Sequence, residues 1–284
     1  MPAKKKETAA DWQLYVIEYA RSRNQPMASL LLGAFDEPPV NVPFSFVLAQ
    51  NAKHKVLVDT GFMDEGGGHE MAVKFDIPEW ISPVRMLEEV GVKAEEIDHI
   101  FVSHAHYDHI GSIDKFPNAI IHIQKAELMT WIEALALPPR FGFLTSALDP
   151  DDIHTAISAA AEHRLNLLEG DVDDVVPGIH VRSAAGGHTM GQQFISVDTP
   201  KGRYVVTGDC IYSQRNLVGI KNDGVYAPLG FGIGSIWEQL KSFDRINEEV
   251  AGDLDKLLIL HDFERWANFP IVKEVEGFRI CRAV

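Results

Sequence analysis

Short apolar, β-branched runs alternate with polar, turn-forming stretches along most of this chain. The runs Leu14–Tyr19, Pro43–Ala49, Lys55–Val58, Ile97–Val102, Ala119–Ile123, Ile179–Val181, Gln193–Val197, Arg203–Thr207 and Leu257–Leu260 predict strands. Helical spacing appears between some of them. Ser82-Pro83 reads as a cap and a first helical residue, with Val84, Leu87 and Val90 on one face and Gly91 as the stop. A second helix is predicted from Ser235, which has capping-box spacing to Glu238. There Ile236, Leu240, Phe243, Ile246 and Val250 form one apolar stripe, expected to be core. The Ala-rich stretch from Lys125 to Leu168 predicts mostly helix, broken at Pro138-Pro139 and at Asp149-Pro150. Neither a repeat nor a low-complexity linker interrupts the pattern, so residues 1–284 are expected to form one domain mixing strands and helices, with 1–10 a frayed tail.

Composition narrows the chemistry. With 284 residues, 46% of them hydrophobic, the chain can bury a substantial core. No stretch approaches the roughly 18 consecutive apolar residues needed to span a bilayer, and Met1–Glu7 lacks the apolar segment of a secretory signal. A cytoplasmic protein without a membrane partner is expected. Cys210 and Cys281 make neither a disulfide framework nor a thiolate zinc site, so any metal must be held by imidazole and carboxylate. A formal charge of −15 repels polyanions, which disfavours nucleic acid and favours a small-molecule substrate.

The segment Phe101-Val-Ser-His104-Ala-His106-Tyr-Asp108-His109-Ile-Gly111 puts three imidazoles and a carboxylate within six residues, directly after a predicted strand. Side chains two apart on extended backbone point the same way, so His104 and His106 can share one ion. Asp108 and His109, past the strand end, can turn towards a second. Imidazole with carboxylate suits zinc. Further donors lie at later strand ends: His188 in Gly186-Gly187-His188-Thr189, Asp209 after Gly208, and His261 before Asp262.

His104-x-His106-x-Asp108-His109, followed in order by His188, Asp209 and His261, resembles the metallo-β-lactamase superfamily, and Asp59-Thr60-Gly61 matches that family's early Asp-Thr-Gly turn. The resemblance covers roughly Tyr15 to Phe269. It implies an α+β, four-layer αββα sandwich with two metal ions at one sheet edge. One ion would take His104, His106 and His188, the other Asp108, His109 and His261, with Asp209 bridging. Two Zn2+ are expected, with Mn, Fe or Co as alternatives. Asp59 reads either as a plain turn-former or as a residue standing close behind the metals.

Within the superfamily the chain looks most similar to the N-acyl homoserine lactone lactonases, which place a Tyr three residues after the bridging Asp, here Asp209-Cys-Ile-Tyr212. Met190 and the Gly-rich stretch Asn222–Ser235 depart from the common pattern. Two metals lower the pKa of a shared water and generate a hydroxide that attacks a carbonyl. The resemblance makes Tyr212 a donor to the developing oxyanion and Asp108 a proton relay to the departing alkoxide. Hydrolysis of a cyclic amide or another ester on the same centre is an alternative, and an iron-dependent thiol or persulfide dioxygenase is the rival from another class. Phe62, Met63, Tyr226, Phe231 and Trp237 are candidate pocket walls, and Arg140 a candidate for binding a substrate carboxylate.

Overall fold

The structure, a computed structural model, describes residues 11–264 and 268–284. In chain order the strands are β1 (Gln13–Gln25), β2 (Val40–Gln50), β3 (Lys55–Val58), β4 (Glu79–Trp80), β5 (His99–Phe101), β6 (Ile120–Gln124), β7 (Leu165–Leu168), β8 (Val172–Val176), β9 (Ile179–Ser183), β10 (Gln193–Thr199), β11 (Gly202–Val206), β12 (Leu257–Leu258), β13 (Ile271–Val275) and β14 (Phe278–Arg282). They form two sheets. The larger runs β13-β14-β1-β2-β3-β5-β6-β7, with β4 paired to β1, and the smaller runs β12-β11-β10-β9-β8.

Alternation along the strands builds the layers. Val56, Val58 and Phe101 point from the larger sheet into a core shared with Val181, Ile195, Val197 and Val206 of the smaller one. Their neighbours Leu57, Ile100 and Ile121 point the other way, into a core that also holds Leu128, Trp131, Ile153 and Ala156 from the helices Lys125–Leu135 and Pro150–Ala161. On the opposite outer face Phe194 and Val205 share that cluster with Phe243 and Ile246 of the helix Ile236–Glu249. The result is the four-layer αββα sandwich expected from the sequence.

Several expectations need correction. Leu165–Leu168 is a strand parallel to β6 rather than helix, an edge strand too short to declare an alternating pattern. The strands β8, β13 and β14 were not anticipated, because charged residues interrupt their apolar runs. The helix Pro83–Glu88 stops before Val90, and Ser82 makes no capping hydrogen bond, although Pro83 does sit in the first turn. Ser235 caps as expected, its Oγ accepting from Glu238 N at 3.2 Å. The stripe it starts is only partly core: Ile236 is 48% exposed, while Gln239 and Ser242 occupy buried positions. Gln239 is tolerated there because its Oε1 accepts from Leu229 N at 3.0 Å.

Parallel pairing sets the location of the site. β3 and β5 run parallel, so Asp59 and the His104 loop emerge at the same sheet edge. In the smaller sheet β11 and β12 are parallel, so Asp209 and His261 emerge together.

Candidate functional site

All seven residues anticipated as ligands are buried and converge in two groups: His104, His106, His188 and Asp209 form one, and Asp108, His109 and His261 the other. His106 precedes a single helical turn, Tyr107–Ile110, that swings Asp108 and His109 away from the path of His104. Asp209 follows Gly208, whose φ of +51° and closeness to Ser103 leave no room for a side chain, since a Cβ there would lie 2.6 Å from Ser103 Cβ.

The two carboxylate oxygens of Asp209 face different groups. Oδ2 lies 3.4 Å from His188 Nε2 and 3.8 Å from His104 Nε2, whereas Oδ1 lies 3.2 Å from His109 Nε2 and 3.4 Å from His261 Nε2. On the first side His106 presents Nδ1, at 3.0 Å from both His104 Nε2 and His188 Nε2. On the second side Asp108 Oδ2 is 3.3 Å from His109 Nε2 and 3.2 Å from His261 Nε2.

Proton positions test whether cations fit. His109 Nδ1 is 2.8 Å from Asp59 Oδ2, and His261 Nδ1 is 2.8 Å from the Pro43 carbonyl oxygen. A neutral ring that donates there carries a lone pair on Nε2, the state a metal ligand needs, and in these two rings the Nε2 atoms face each other at 3.4 Å. No hydrogen bond bridges two lone pairs; a cation does. Asp209 Oδ1, buried beside them, likewise accepts no hydrogen bond. The donor set therefore fits two borderline divalent metals of the zinc kind.

Electrostatics separate the two groups. Burial lowers the pKa of His104, and burial together with His188 pushes His106 down to about 3, so both rings are neutral and ready to ligate. Burial would raise Asp108 and Asp209, but His109 and His261 outweigh it and hold both carboxyls low. On His109 and His261 burial lowers the pKa but the two carboxylates outweigh it and raise both, so without a cation between them these rings favour the protonated form. A metal binding between them would release those protons.

Asp59 stands behind the site rather than in an idle turn. It adopts a left-handed φ of +61°, accepts from Ser103 N and Oγ, each at 2.7 Å, and holds His109 Nδ1.

Sequence reasoning missed Glu127. It lies in the first turn of the helix Lys125–Leu135 and is fully buried. Its Oε1 accepts from Ala105 N at 2.9 Å and Trp131 Nε1 at 2.7 Å, and its Oε2 from Thr189 Oγ1 at 2.7 Å and Gly191 N at 2.8 Å. One carboxylate thus ties the backbone between His104 and His106 to the loop that carries His188. Burial raises its pKa against the pull of these four donors. Nothing in the sequence separates it from an ordinary helical Glu. In Glu127→Gln the amide NH2 must face donors, so metal affinity should fall by about 10- to 100-fold, the usual cost of losing a residue that orients ligands. Competition against a chromogenic chelator measures this, and unchanged affinity would assign Glu127 to packing alone.

A cavity of about 130 Å3 opens above the ligands, lined by Asp108, Tyr212 and apolar side chains including Phe44, Phe75, Leu144, Phe231 and Ile233. Tyr212 Oη donates to Asp209 Oδ2 at 2.8 Å. Burial, then the Asp209 charge, raises its pKa, so the phenol stays protonated. Of the proposed walls only Phe231 reaches the cavity: Phe62 is core, Tyr226 donates to Asp244, and Trp237 is 72% exposed. Arg140 lies over the Phe141 ring and does not line the cavity. Cys210 is a buried core residue. The Phe231 segment is itself bonded to His188, a candidate ligand. His188 Nδ1 is 3.3 Å from the Phe231 carbonyl oxygen, and Ile233 N donates to the His188 carbonyl at 2.8 Å.

Among the described residues no helix is long and apolar enough to cross a membrane. Comparison with known proteins agrees with the geometry. The chain is 27% identical over 245 residues to an N-acyl homoserine lactonase of Bacillus cereus, covering 83% of this chain and 87% of the relative. Its fold superposes on the crystal structure of a quorum-quenching N-acyl homoserine lactone lactonase with a TM-score of 0.67 at 24% identity, covering 92% of this chain and 96% of that one. A dizinc quorum-quenching lactonase gives a TM-score of 0.66 at 20% identity, covering 96% and 95%. The sequence signature of the Metallo-beta-lactamase superfamily matches residues 39–251. By that match the chain belongs to the metallo-β-lactamase superfamily, among its lactonase-like, metal-dependent hydrolases.

Proposed function

We propose that this enzyme opens the ring of a small-molecule lactone at a centre of two divalent metals, zinc by preference. The observation that carries the reading is the division of seven buried ligands into two sets by the two oxygens of Asp209, on the floor of an apolar cavity. When bound, such metals supply Lewis acidity and bring the pKa of water close to neutrality.

The chain's own groups do the rest. Tyr212, protonated and lining the cavity, has a hydroxyl that can turn from Asp209 and donate to the carbonyl oxygen as charge develops on it. Asp108 lines the same cavity, which supports its role as the group that carries a proton to the departing ring oxygen. The apolar wall from Phe44, Phe75, Leu144, Phe231 and Ile233 holds a hydrocarbon substituent and excludes water. Among the described residues that line the cavity there is neither Lys nor Arg, which supports an uncharged acyl substrate over a phosphodiester.

The test joins metal analysis of the purified protein to a screen of lactones, cyclic amides, thioesters and phosphodiesters, run with and without O2. Close to two equivalents of divalent metal are expected, with fastest turnover on a lactone bearing an apolar acyl group and no need for O2. A single iron per chain and turnover that consumes O2 would replace this reading with the dioxygenase.

A further inference from the structure

The parallel strands β3 and β5 have a second end, and histidines gather there too. His54, in the turn before β3, places Nδ1 at 2.7 Å from Asp98 Oδ2, just before β5, and His99 follows as the first residue of that strand. One ligand atom from each of His54, Asp98 and His99 lies within 4.8 Å of the others, and all three side chains are half-buried. Extended chain from His99 to His104 spans roughly 16 Å, so this group is separate from the catalytic one.

The surroundings favour ligation. Asp98 is held in place because its Oδ1 accepts from Lys55 N at 3.2 Å. His99 Nδ1 is 3.0 Å from Nε2 of the buried His122, whose own Nδ1 is 3.0 Å from the Asn166 amide. Here the Asn166 amide donates to His122 and His122 donates to His99 Nδ1; a metal on His99 Nε2 reverses the chain, with His99 Nδ1–H donating to His122 and His122 Nδ1–H to the Asn166 side-chain oxygen once that amide turns over. Burial lowers the pKa of His99 and drives His122 down to about 3, so neither ring must shed a proton at neutral pH. On the other side the Trp12 ring stacks on His54, with centroids 6.3 Å apart, and Trp12 Nε1 donates to the Pro177 carbonyl in the turn between β8 and β9.

We propose that His54, Asp98 and His99 form a peripheral binding site for a borderline divalent transition metal such as Zn2+, Ni2+ or Cu2+. Two imidazoles and one carboxylate suit these ions and not Mg2+ or Ca2+, which take all-oxygen shells. An ion there replaces the proton shared by His54 and Asp98, and it staples the turn before β3 to the start of β5.

The test compares the zinc-loaded enzyme with its His54→Ala/His99→Ala variant by equilibrium dialysis against NiCl2. The parent should take up one more equivalent of Ni2+ than the variant, and lactone turnover by the two should be equal. Asp98→Asn, which keeps the acceptor for Lys55 N, serves as a gentler second variant and should weaken the same uptake. Ni2+ should also quench part of the tryptophan fluorescence, and Trp12→Phe should remove that part. Equal Ni2+ uptake by parent, double variant and Asp98→Asn overturns the site, and it does so whatever the substrate of the catalytic centre proves to be.

Discussion

Asp209→Asn should lower the metal content from two equivalents towards one and reduce kcat/KM by at least about 10²-fold, the cost of shifting a reacting geometry by an ångström. The side chain keeps its shape but loses its charge. One of its two ends becomes an NH2 group, whose hydrogens point at either the His104–His106–His188 set or the Asp108–His109–His261 set. Either way one set loses its anionic oxygen, and the repulsion between two cations is no longer screened between them. Elemental analysis and steady-state kinetics on the same sample measure both effects. A variant with two metals and parental turnover would show that Asp209 does not bridge.

Tyr212→Phe should lower kcat by about 10²-fold, as expected for removal of one donor to an oxyanion, with KM and metal content unchanged. The ring would still pack between His188 and His261, whose centroids lie 6.1 and 5.7 Å away. The hydrogen bond from Tyr212 to Asp209 gives this variant a second diagnostic. If the hydroxyl serves mainly to orient Asp209, metal occupancy falls together with kcat. If it serves the transition state, occupancy holds. A rise in KM alone would limit Tyr212 to holding substrate.

The candidate metal ligands were legible in the sequence because four of them sit within six residues and the others each follow a strand. Strand ends are where a sandwich presents its side chains at one edge, so position and chemistry coincided at His188, Asp209 and His261. Glu127 was not legible. Its importance lies in donors from Ala105, Thr189 and Gly191, which approach it only after the chain has folded, and no local spacing records that. The cavity walls failed for a similar reason. Proximity in sequence to a motif suggested Phe62 and Trp237, yet one packs in the core and the other faces solvent, while Phe44 and Phe75 arrive from distant segments. In the fold, β7 went unread because four residues are too few to show alternation, and β8 because charged residues interrupt it, as Val172-Asp173-Asp174-Val175-Val176. Ile236, in the first turn of its helix, shows the converse, an apolar residue at helical spacing that solvent meets.

The loop that carries Phe231 constrains how this enzyme can change over evolution or in a directed library. Its aromatic side chain faces the cavity, but its backbone is bonded on both sides to His188. Exchanging the Phe231 side chain is therefore a way to reshape substrate range at little cost to the metal centre. Inserting or deleting a residue between 229 and 234 is a different kind of step, because it moves the carbonyl and amide that orient a ligand. New specificities should be reached here by substitution at constant loop length, and variation in length should concentrate in wall segments without such a bond to a ligand.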